Sequence, residues 1–212
     1  MFSQNISKII FREKHCYNSK APLIDYGIDY EGASIMKKEK EDNPSDIIFT
    51  TIDSPYPTVE ISEPNRDYAF EILDNIGGTN SEMSAISLYF YNHIITEEYK
   101  EISSYFMKIS MVEMHHLDIF GKIAYEFGAN PKLWALKRGQ MVYWTPNYNT
   151  YNINLKEMLL NAIYSEEAAI QKYESQKLLI KNRSVKDILA RIILDEKSHV
   201  DLFHQLLKKY CI

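Results

Sequence analysis

The sequence predicts an all-α fold, a four-helix bundle with one long crossover connection, preceded by a mostly irregular N-terminal extension. Apolar residues recur at helical spacing in four stretches after residue 65, whereas residues 129–154 show no such period. Residues 1–65 contain five of the seven prolines. We therefore divide the chain into an extension, residues 1–65, and a bundle domain, residues 66–212.

The extension is expected to have little regular structure. Besides its prolines, it contains the charged run Lys37–Asp42, and one short β-like run, Ile47–Ile52, lies among turn residues. Segments rich in proline and charge bury too little apolar surface to offset the entropy of folding. Such a segment could serve as an arm that becomes ordered when it binds a partner.

Four stretches after the extension have the apolar period of amphipathic helices. The first contains Gly77-Gly78, and the second ends at Gly128, with Pro131 just beyond. Short connections join the first stretch to the second and the third to the fourth, so each pair predicts a helical hairpin. The four stretches are Tyr68–Ile95, Lys100–Phe127, Leu155–Ile180 and Val185–Tyr210.

The composition argues against several classes of function. The net charge is -5 and lysines and arginines do not cluster, so we expect no nucleic-acid partner. The only cysteines, Cys16 and Cys211, form neither a disulfide framework nor a CxxC metal site. The sequence also lacks a signal-peptide-like run, an apolar stretch long enough to span a membrane, and a phosphate-binding GxxxxGK loop. We expect a cytoplasmic protein with no membrane partner.

Each predicted hairpin carries one lone glutamate and one Glu-x-x-His motif. Residues three apart on a helix lie on the same face, so the two side chains of one motif can reach the same ion. Carboxylates and imidazoles suit manganese and iron, and this combination occurs in dimetal helical bundles. The predicted metal ligands are Glu82, Glu113, His116, Glu166, Glu196 and His199.

Two of these assignments have alternatives. Glu82 follows Thr79 by three residues, so it could belong to a capping box at a helix start. Glu167 competes with Glu166, but Glu166 lies within the apolar stripe of its helix and Glu167 lies beside it. Helical phase therefore favours Glu166.

Other polar residues lie near the predicted ligands. Tyr89 and Tyr173 are on inward faces and either hydrogen-bond near the site or pack in the core. Asp195 either orients a ligand histidine of another helix or is a solvated helix charge.

The three remaining histidines of the helical region are not assigned as ligands. His93 shares a face with Glu82, which places it beside the site or in the core, whereas His115 and His204 are expected at the surface.

Several runs in these helices resemble members of the ferritin-like superfamily. Gly77–Ala85 and Met111–Leu117 resemble segments around the metal site of manganese catalases and their spore-coat relatives. Ala162–Tyr173 and Ile193–His199 resemble rubrerythrin-type domains. The resemblance covers about residues 66–210 and implies a ferritin-like bundle.

The resemblance implies a ligand set that agrees with the one read from the hairpins, except at Glu196. In manganese catalases the equivalent glutamate is near the metals without binding them, whereas in ferritin-type di-iron sites it is a ligand. Rubrerythrins usually also carry a rubredoxin-like module with paired CxxC motifs, which this sequence does not contain.

Three functions are compatible with this pattern. The first is manganese-catalase-like disproportionation of hydrogen peroxide by two Mn ions, with Glu196 as a catalytic proton shuttle. The second is a di-iron ferroxidase or peroxidase of rubrerythrin type, using two Fe ions and peroxide or dioxygen. The third is a spore-coat structural protein whose bundle is stabilised by metal. The resemblance also implies a homo-oligomer.

Overall fold

The computed structural model describes residues 50–211, which belong to one compact unit. The described residues form five α-helices and one β-hairpin. In chain order these are α1 (Arg66–Gly77), α2 (Glu82–Ile95), α3 (Lys100–Glu126), β1 (Trp134–Lys137), β2 (Gln140–Tyr143), α4 (Leu155–Leu179) and α5 (Arg183–Cys211). The predicted all-α bundle with one long crossover is confirmed.

The prediction of a single first helix over Tyr68–Ile95 is wrong, because this stretch forms two helices, α1 and α2. Helix α1 ends at Gly77, and the side chain of Ser81 then caps α2 by accepting a hydrogen bond from the Ser84 amide. The backbone of β1 requires a glycine at this break, since a Cβ atom on Gly77 would lie 2.3 Å from the amide nitrogen of Trp134.

The crossover contains the hairpin of β1 and β2, which the sequence period did not predict. Its two-residue turn uses Arg138 and Gly139, both with positive φ, as tight hairpin turns require. Beyond the hairpin, Trp144 Nε1 donates a hydrogen bond to Ser84 Oγ (3.0 Å), so the crossover is attached to α2.

The core consists of two apolar clusters, one toward each end of the bundle. One cluster joins α1, the C-terminal half of α3, the C-terminal half of α4 and the N-terminal half of α5. The other joins α2, the N-terminal halves of α3 and α4 and the C-terminal half of α5. A belt of buried polar residues separates the two clusters.

Residues 50–65 form neither helix nor strand and run along the outside of the helices. The first half of the predicted β-like run at Ile47–Ile52 lies outside the described residues, and its last three residues are not in a strand. The charged run Lys37–Asp42 also lies outside the described residues. Within residues 50–211, none of the helices combines the length and apolarity that crossing a membrane would need.

Candidate metal centre

The six predicted ligands all lie in the polar belt between the two apolar clusters. Glu82 is the first residue of α2, placed there by the break after α1. The other five project from the middle of α3, α4 and α5. All six side chains are buried: Glu82, Glu113, His116, Glu166, Glu196 and His199. Ser81, not Thr79, caps α2, so the capping-box alternative for Glu82 does not describe this helix start.

These residues form two overlapping groups, and within each group the potential ligand atoms lie within 4.8 Å of one another. Glu82 and His116 belong to one group, Glu166 and His199 belong to the other, and Glu113 and Glu196 belong to both. Each group offers one ion a glutamate and a histidine of its own. The two shared glutamates lie between these groups, so they are the residues that could serve both ions of a metal pair.

Both histidines turn Nδ1 toward the shared carboxylates. His116 Nδ1 lies 2.9 Å from Glu113 and 3.3 Å from Glu196. His199 Nδ1 lies 3.0 Å from Glu113 and 3.1 Å from Glu196. Glu196 thus occupies the same kind of position as Glu113, between the two histidines.

Two carboxylate oxygens in the site indicate a cation. Among the described residues, neither Glu113 Oε1 nor Glu196 Oε1 receives a hydrogen bond of suitable geometry, although both are buried. The nearest donors are His199 Nδ1, 3.0 Å from Glu113 Oε1, and His116 Nδ1, 3.3 Å from Glu196 Oε1. A buried carboxylate that is poorly hydrogen-bonded is costly, and a bound cation would remove that cost. Two divalent cations would also balance the charge of four ionised glutamates. The side chains therefore fit a pair of Mn or Fe ions in both geometry and charge.

The metal-free site shares protons unevenly among its acidic groups. Burial, reinforced by repulsion from Glu113 and Glu196, raises the pKa of Glu82 and of Glu166 well above the usual range. Burial acts in the same direction on Glu113, but the two neighbouring histidines outweigh it and lower the pKa of Glu113. The raised pKa favours the protonated form of Glu82 and of Glu166, and a metal would compete with that proton.

Without a metal, both histidines also favour the protonated form. Burial lowers the pKa of His116 and His199, but attraction to the surrounding carboxylates is stronger overall and raises both well above the usual range. A metal ligand must be the neutral imidazole, so metal binding and protonation compete at both residues.

Glu82 and Glu166, which each belong to only one of the two groups, are here named the outer glutamates. Each accepts a hydrogen bond from a buried tyrosine of another helix. Tyr89 of α2 donates a hydrogen bond to Glu166 of α4, and Tyr173 of α4 donates one to Glu82 of α2. Burial and the nearby carboxylates raise the pKa of both tyrosines well above the usual range, so both remain hydrogen-bond donors. Both residues thus combine the two predicted alternatives, core packing and hydrogen bonding at the site.

The structure shows which of the alternative glutamates and remaining histidines lie in the site and which lie outside it. Glu166 is buried in the site, whereas the neighbouring Glu167 is exposed. His93 faces away from the metal groups, with Nδ1 2.9 Å from the carbonyl oxygen of Ser103. The remaining two, His115 and His204, are exposed as predicted.

The Nε2 atom of each histidine, which points away from the shared carboxylates and is here named the outer nitrogen, also has a partner. His116 Nε2 lies 3.2 Å from Asp195 of α5, which is the role considered for Asp195 from sequence. His199 Nε2 lies 2.7 Å from the carbonyl oxygen of Thr50. Sequence reasoning missed Thr50 and also Tyr56, whose hydroxyl lies 3.2 Å from His116 Nε2. Both residues precede the helices, so no helical period marks them.

A cavity of about 340 Å³ lies between α2, α4 and the crossover. Its walls include Glu82 and Glu166, together with the tyrosines bound to them, and crossover residues 148–150. A cavity that reaches both outer glutamates provides space for a small molecule next to the metal positions.

Comparisons with known proteins agree with this architecture. The rubrerythrin family profile matches residues 78–207, more than half of the chain. A search of the curated proteins found no significant match.

Solved structures of helical metalloproteins are also similar. Two structures of KatB, a manganese catalase from Anabaena, align with a TM-score of 0.65 at 25% identity, covering 76% and 77% of this chain and 80% of KatB. A bacterioferritin from Desulfovibrio desulfuricans, described with a diiron site, aligns with a TM-score of 0.53 at 20% identity. That alignment covers 68% of this chain and 84% of the bacterioferritin, and it supports the fold alone.

Proposed function

The chain belongs to the rubrerythrin family, and from this premise we propose that it is a dimetal oxidoreductase that disproportionates hydrogen peroxide. The observation that carries the proposal is the pair of overlapping buried groups that share Glu113 and Glu196. Two sites joined by shared carboxylates suit a reaction that moves two electrons at a time. The structural similarity to a manganese catalase, KatB, supports peroxide as the substrate.

The protein residues have distinct tasks in this proposal. Glu82 and His116 would hold one ion, Glu166 and His199 the other, and Glu113 and Glu196 would lie between them. A bound Mn pair would supply the two-electron exchange with peroxide and polarise its oxygen atoms.

The polar groups around these ligands would control protons and geometry. Tyr89 and Tyr173 hold the outer glutamates, which limits the movement of those carboxylates next to the cavity. Glu196 would act as the proton shuttle if one of its carboxylate oxygens stays free of metal, accepting a proton from peroxide and returning it to product. The support is that Glu196 Oε1 is buried and receives no hydrogen bond of suitable geometry from the described residues, the nearest donor being His116 Nδ1 at 3.3 Å. The apolar clusters on both sides keep bulk water away from these steps.

A second function, that of a di-iron ferroxidase or peroxidase, is favoured by the position of Glu196. Glu196 is equivalent to Glu113 in its distances to the two histidines. Such a position would suit a direct ligand, which is the role that the resemblance to ferritin-type di-iron sites implies. In that case the pair of ions would be iron, and turnover would require Fe(II) or another electron donor.

The test is to purify the protein from cells supplied with both metals, count Mn and Fe per chain, and assay oxygen release from peroxide without a reductant. The matched pair Glu166→Gln and Glu167→Gln separates the metal centre from general charge effects, since only Glu166 is buried in the site. About two Mn per chain with oxygen release, lost in Glu166→Gln only, is the expected result.

Other results would redirect the assignment. About two Fe per chain without oxygen release would support the di-iron function. About two Mn per chain without oxygen release would support a structural protein stabilised by metal. A protein that takes up neither metal would contradict all three functions.

A further inference from the structure

Residues 50–56, here named the strap, lie across α3 and α5 on the side of the metal centre opposite the cavity. We propose that the strap is a positioning element, which holds the outer nitrogen atoms of both ligand histidines and thereby raises the metal affinity of the centre. This inference rests on the metal-binding function proposed above.

At His199 the strap provides a backbone acceptor. The carbonyl oxygen of Thr50 can only accept, so His199 Nε2, 2.7 Å away, must carry the proton. In the neutral ring this leaves Nδ1 unprotonated, and Nδ1 is the atom that faces Glu113 and Glu196. The strap therefore selects the tautomer that can bind a metal.

At His116 the strap acts together with Asp195. The Asp195 carboxylate accepts from His116 Nε2 (3.2 Å), which selects the same tautomer at the second histidine. Tyr56 donates a hydrogen bond to the same Asp195 oxygen at 2.5 Å, and its hydroxyl lies 3.2 Å from His116 Nε2. Tyr56 thus touches both members of the pair that orients this ring.

The strap is attached mainly through Asp195 and Arg191, which are four residues apart on α5. Asp195 Oδ1 accepts hydrogen bonds from the Ile52 amide (2.7 Å) and the Thr51 hydroxyl (3.0 Å). Arg191 donates to the carbonyl oxygens of Ser54 (2.8 Å) and Ile52 (2.7 Å).

Arg191 also contacts Asp195 and the ring of Tyr56. Its guanidinium lies 2.7 Å from Asp195 and 4.3 Å from the centre of the Tyr56 ring. The guanidinium is almost fully buried, so these interactions are poorly screened by water.

The strap has few other anchors. Residues 51–55 are exposed, and only Tyr56 contributes to an apolar cluster. Its hydrogen bonds go to Arg191, to Asp195 and to the two histidines. The histidine rings would be fixed more firmly when a metal holds Nδ1. Strap docking and metal binding should therefore strengthen each other.

The first measurement is the affinity of the full-length protein for Mn²⁺, by competition with a chelator, in Tyr56→Phe. This change removes one hydroxyl and keeps the ring. Tyr125→Phe is the control, because Tyr125 is an exposed tyrosine of α3. We expect roughly ten- to a hundredfold weaker binding in Tyr56→Phe, as for other partners of ligand histidines, and no change in the control.

The second measurement is hydrogen exchange of the Ile52 amide with and without Mn²⁺. This amide donates to Asp195, so its exchange reports strap docking. We expect metal to slow the exchange in the natural protein, and to slow it less in Tyr56→Phe. Thr51→Val provides a second variant with the same expected direction, should Tyr56→Phe not fold.

The outcomes separate this inference from the function it rests on. If the natural protein binds no metal, both fail. If it binds two ions, and the variants bind them equally tightly with Ile52 exchange insensitive to metal, the strap inference is overturned and the proposed function stands.

Discussion

At the scale of single residues, one step along a helix separates a metal ligand candidate from a surface charge. Glu166 and Glu167 are neighbours in α4, yet the first is buried beside His199 and the second is exposed. Successive helical positions differ by about 100° in direction, so only one of the two can face the bundle axis. The chemistry of the centre thus depends on helical phase.

This pair yields a direct prediction. Glu166→Gln removes a carboxylate from one of the two groups, and we expect at least roughly tenfold weaker binding of one ion. Glu167→Gln should bind both ions with unchanged affinity. Metal titration of the metal-free protein, followed by calorimetry, measures both. Equal effects of the two substitutions would contradict the assignment of Glu166.

Proton competition gives a second prediction at this scale. The raised pKa values of Glu82, Glu166, His116 and His199 mean that the metal-free protein holds protons which binding must release. Affinity should therefore rise with pH, by about ten- to a hundredfold per pH unit while these groups remain protonated.

Calorimetry in two buffers of different ionisation enthalpy measures the protons released. Binding that releases no protons near neutral pH would show that these four groups are not displaced by the metal.

At the scale of elements, the break between α1 and α2 determines where Glu82 lies. A continuous helix would not place a new N-terminus at this residue, and the nearby hairpin leaves no room for a side chain at Gly77. The crossover is thus more than a connection, because β1 packs against Gly77 and Trp144 hydrogen-bonds to Ser84 of α2, next to Glu82.

Gly77→Ala tests this arrangement. The new Cβ atom would lie 2.3 Å from the Trp134 amide nitrogen, so we expect a loss of about 1–3 kcal/mol in the free energy of unfolding. Gly121→Ala in α3 is the control, since a Cβ atom there meets nothing within 4 Å.

The control should be stabilised by about 0.5–1 kcal/mol, because alanine favours the helix over glycine. Denaturant unfolding monitored by circular dichroism gives both values. Two substitutions of equal effect would mean that the hairpin does not pack against Gly77 as described.

The cavity between α2 and α4 supports a further prediction at the element scale. Ala168→Phe should fill part of this cavity and lower peroxide consumption, because Ala168 lines its wall. Ala168→Ser, which adds little volume, should consume peroxide at a rate close to that of the natural protein. Metal content should be the same in both. An oxygen electrode measures the rates, and unchanged turnover in Ala168→Phe would exclude this cavity as the substrate route.

At the scale of the whole molecule, the metal centre joins all four sides of the bundle. Its proposed ligands come from α2, α3, α4 and α5, and apolar clusters pack above and below them. The buried acidic groups repel one another without a cation, so this middle layer is expected to be the least stable part of the metal-free bundle.

Metal should therefore raise the unfolding temperature. An ion present at 100 times its dissociation constant adds about 2.7 kcal/mol to the free energy of unfolding. For a chain of this size, that corresponds to a shift of roughly 5–10 °C in Tm. Calorimetry with Mn²⁺, then with excess chelator, measures the shift. A midpoint that does not respond to either would indicate that the folded protein binds no metal.

Sequence alone determined the bundle and the six residues of the polar belt. Apolar periodicity marks the faces of long helices, and a charged residue on such a face is conspicuous, as Glu113 and Glu166 are. The same local rule placed His115 and His204 at the surface and oriented Tyr89 and Tyr173 toward the core.

Only the tertiary structure decided the break at Gly77, the hairpin and the contacts of the strap. Each depends on residues far apart in sequence, such as Gly77 with Trp134 and Thr50 with His199. A period of 3.6 residues describes how one helix faces its neighbours, but it contains no information on which backbone segment approaches it from outside.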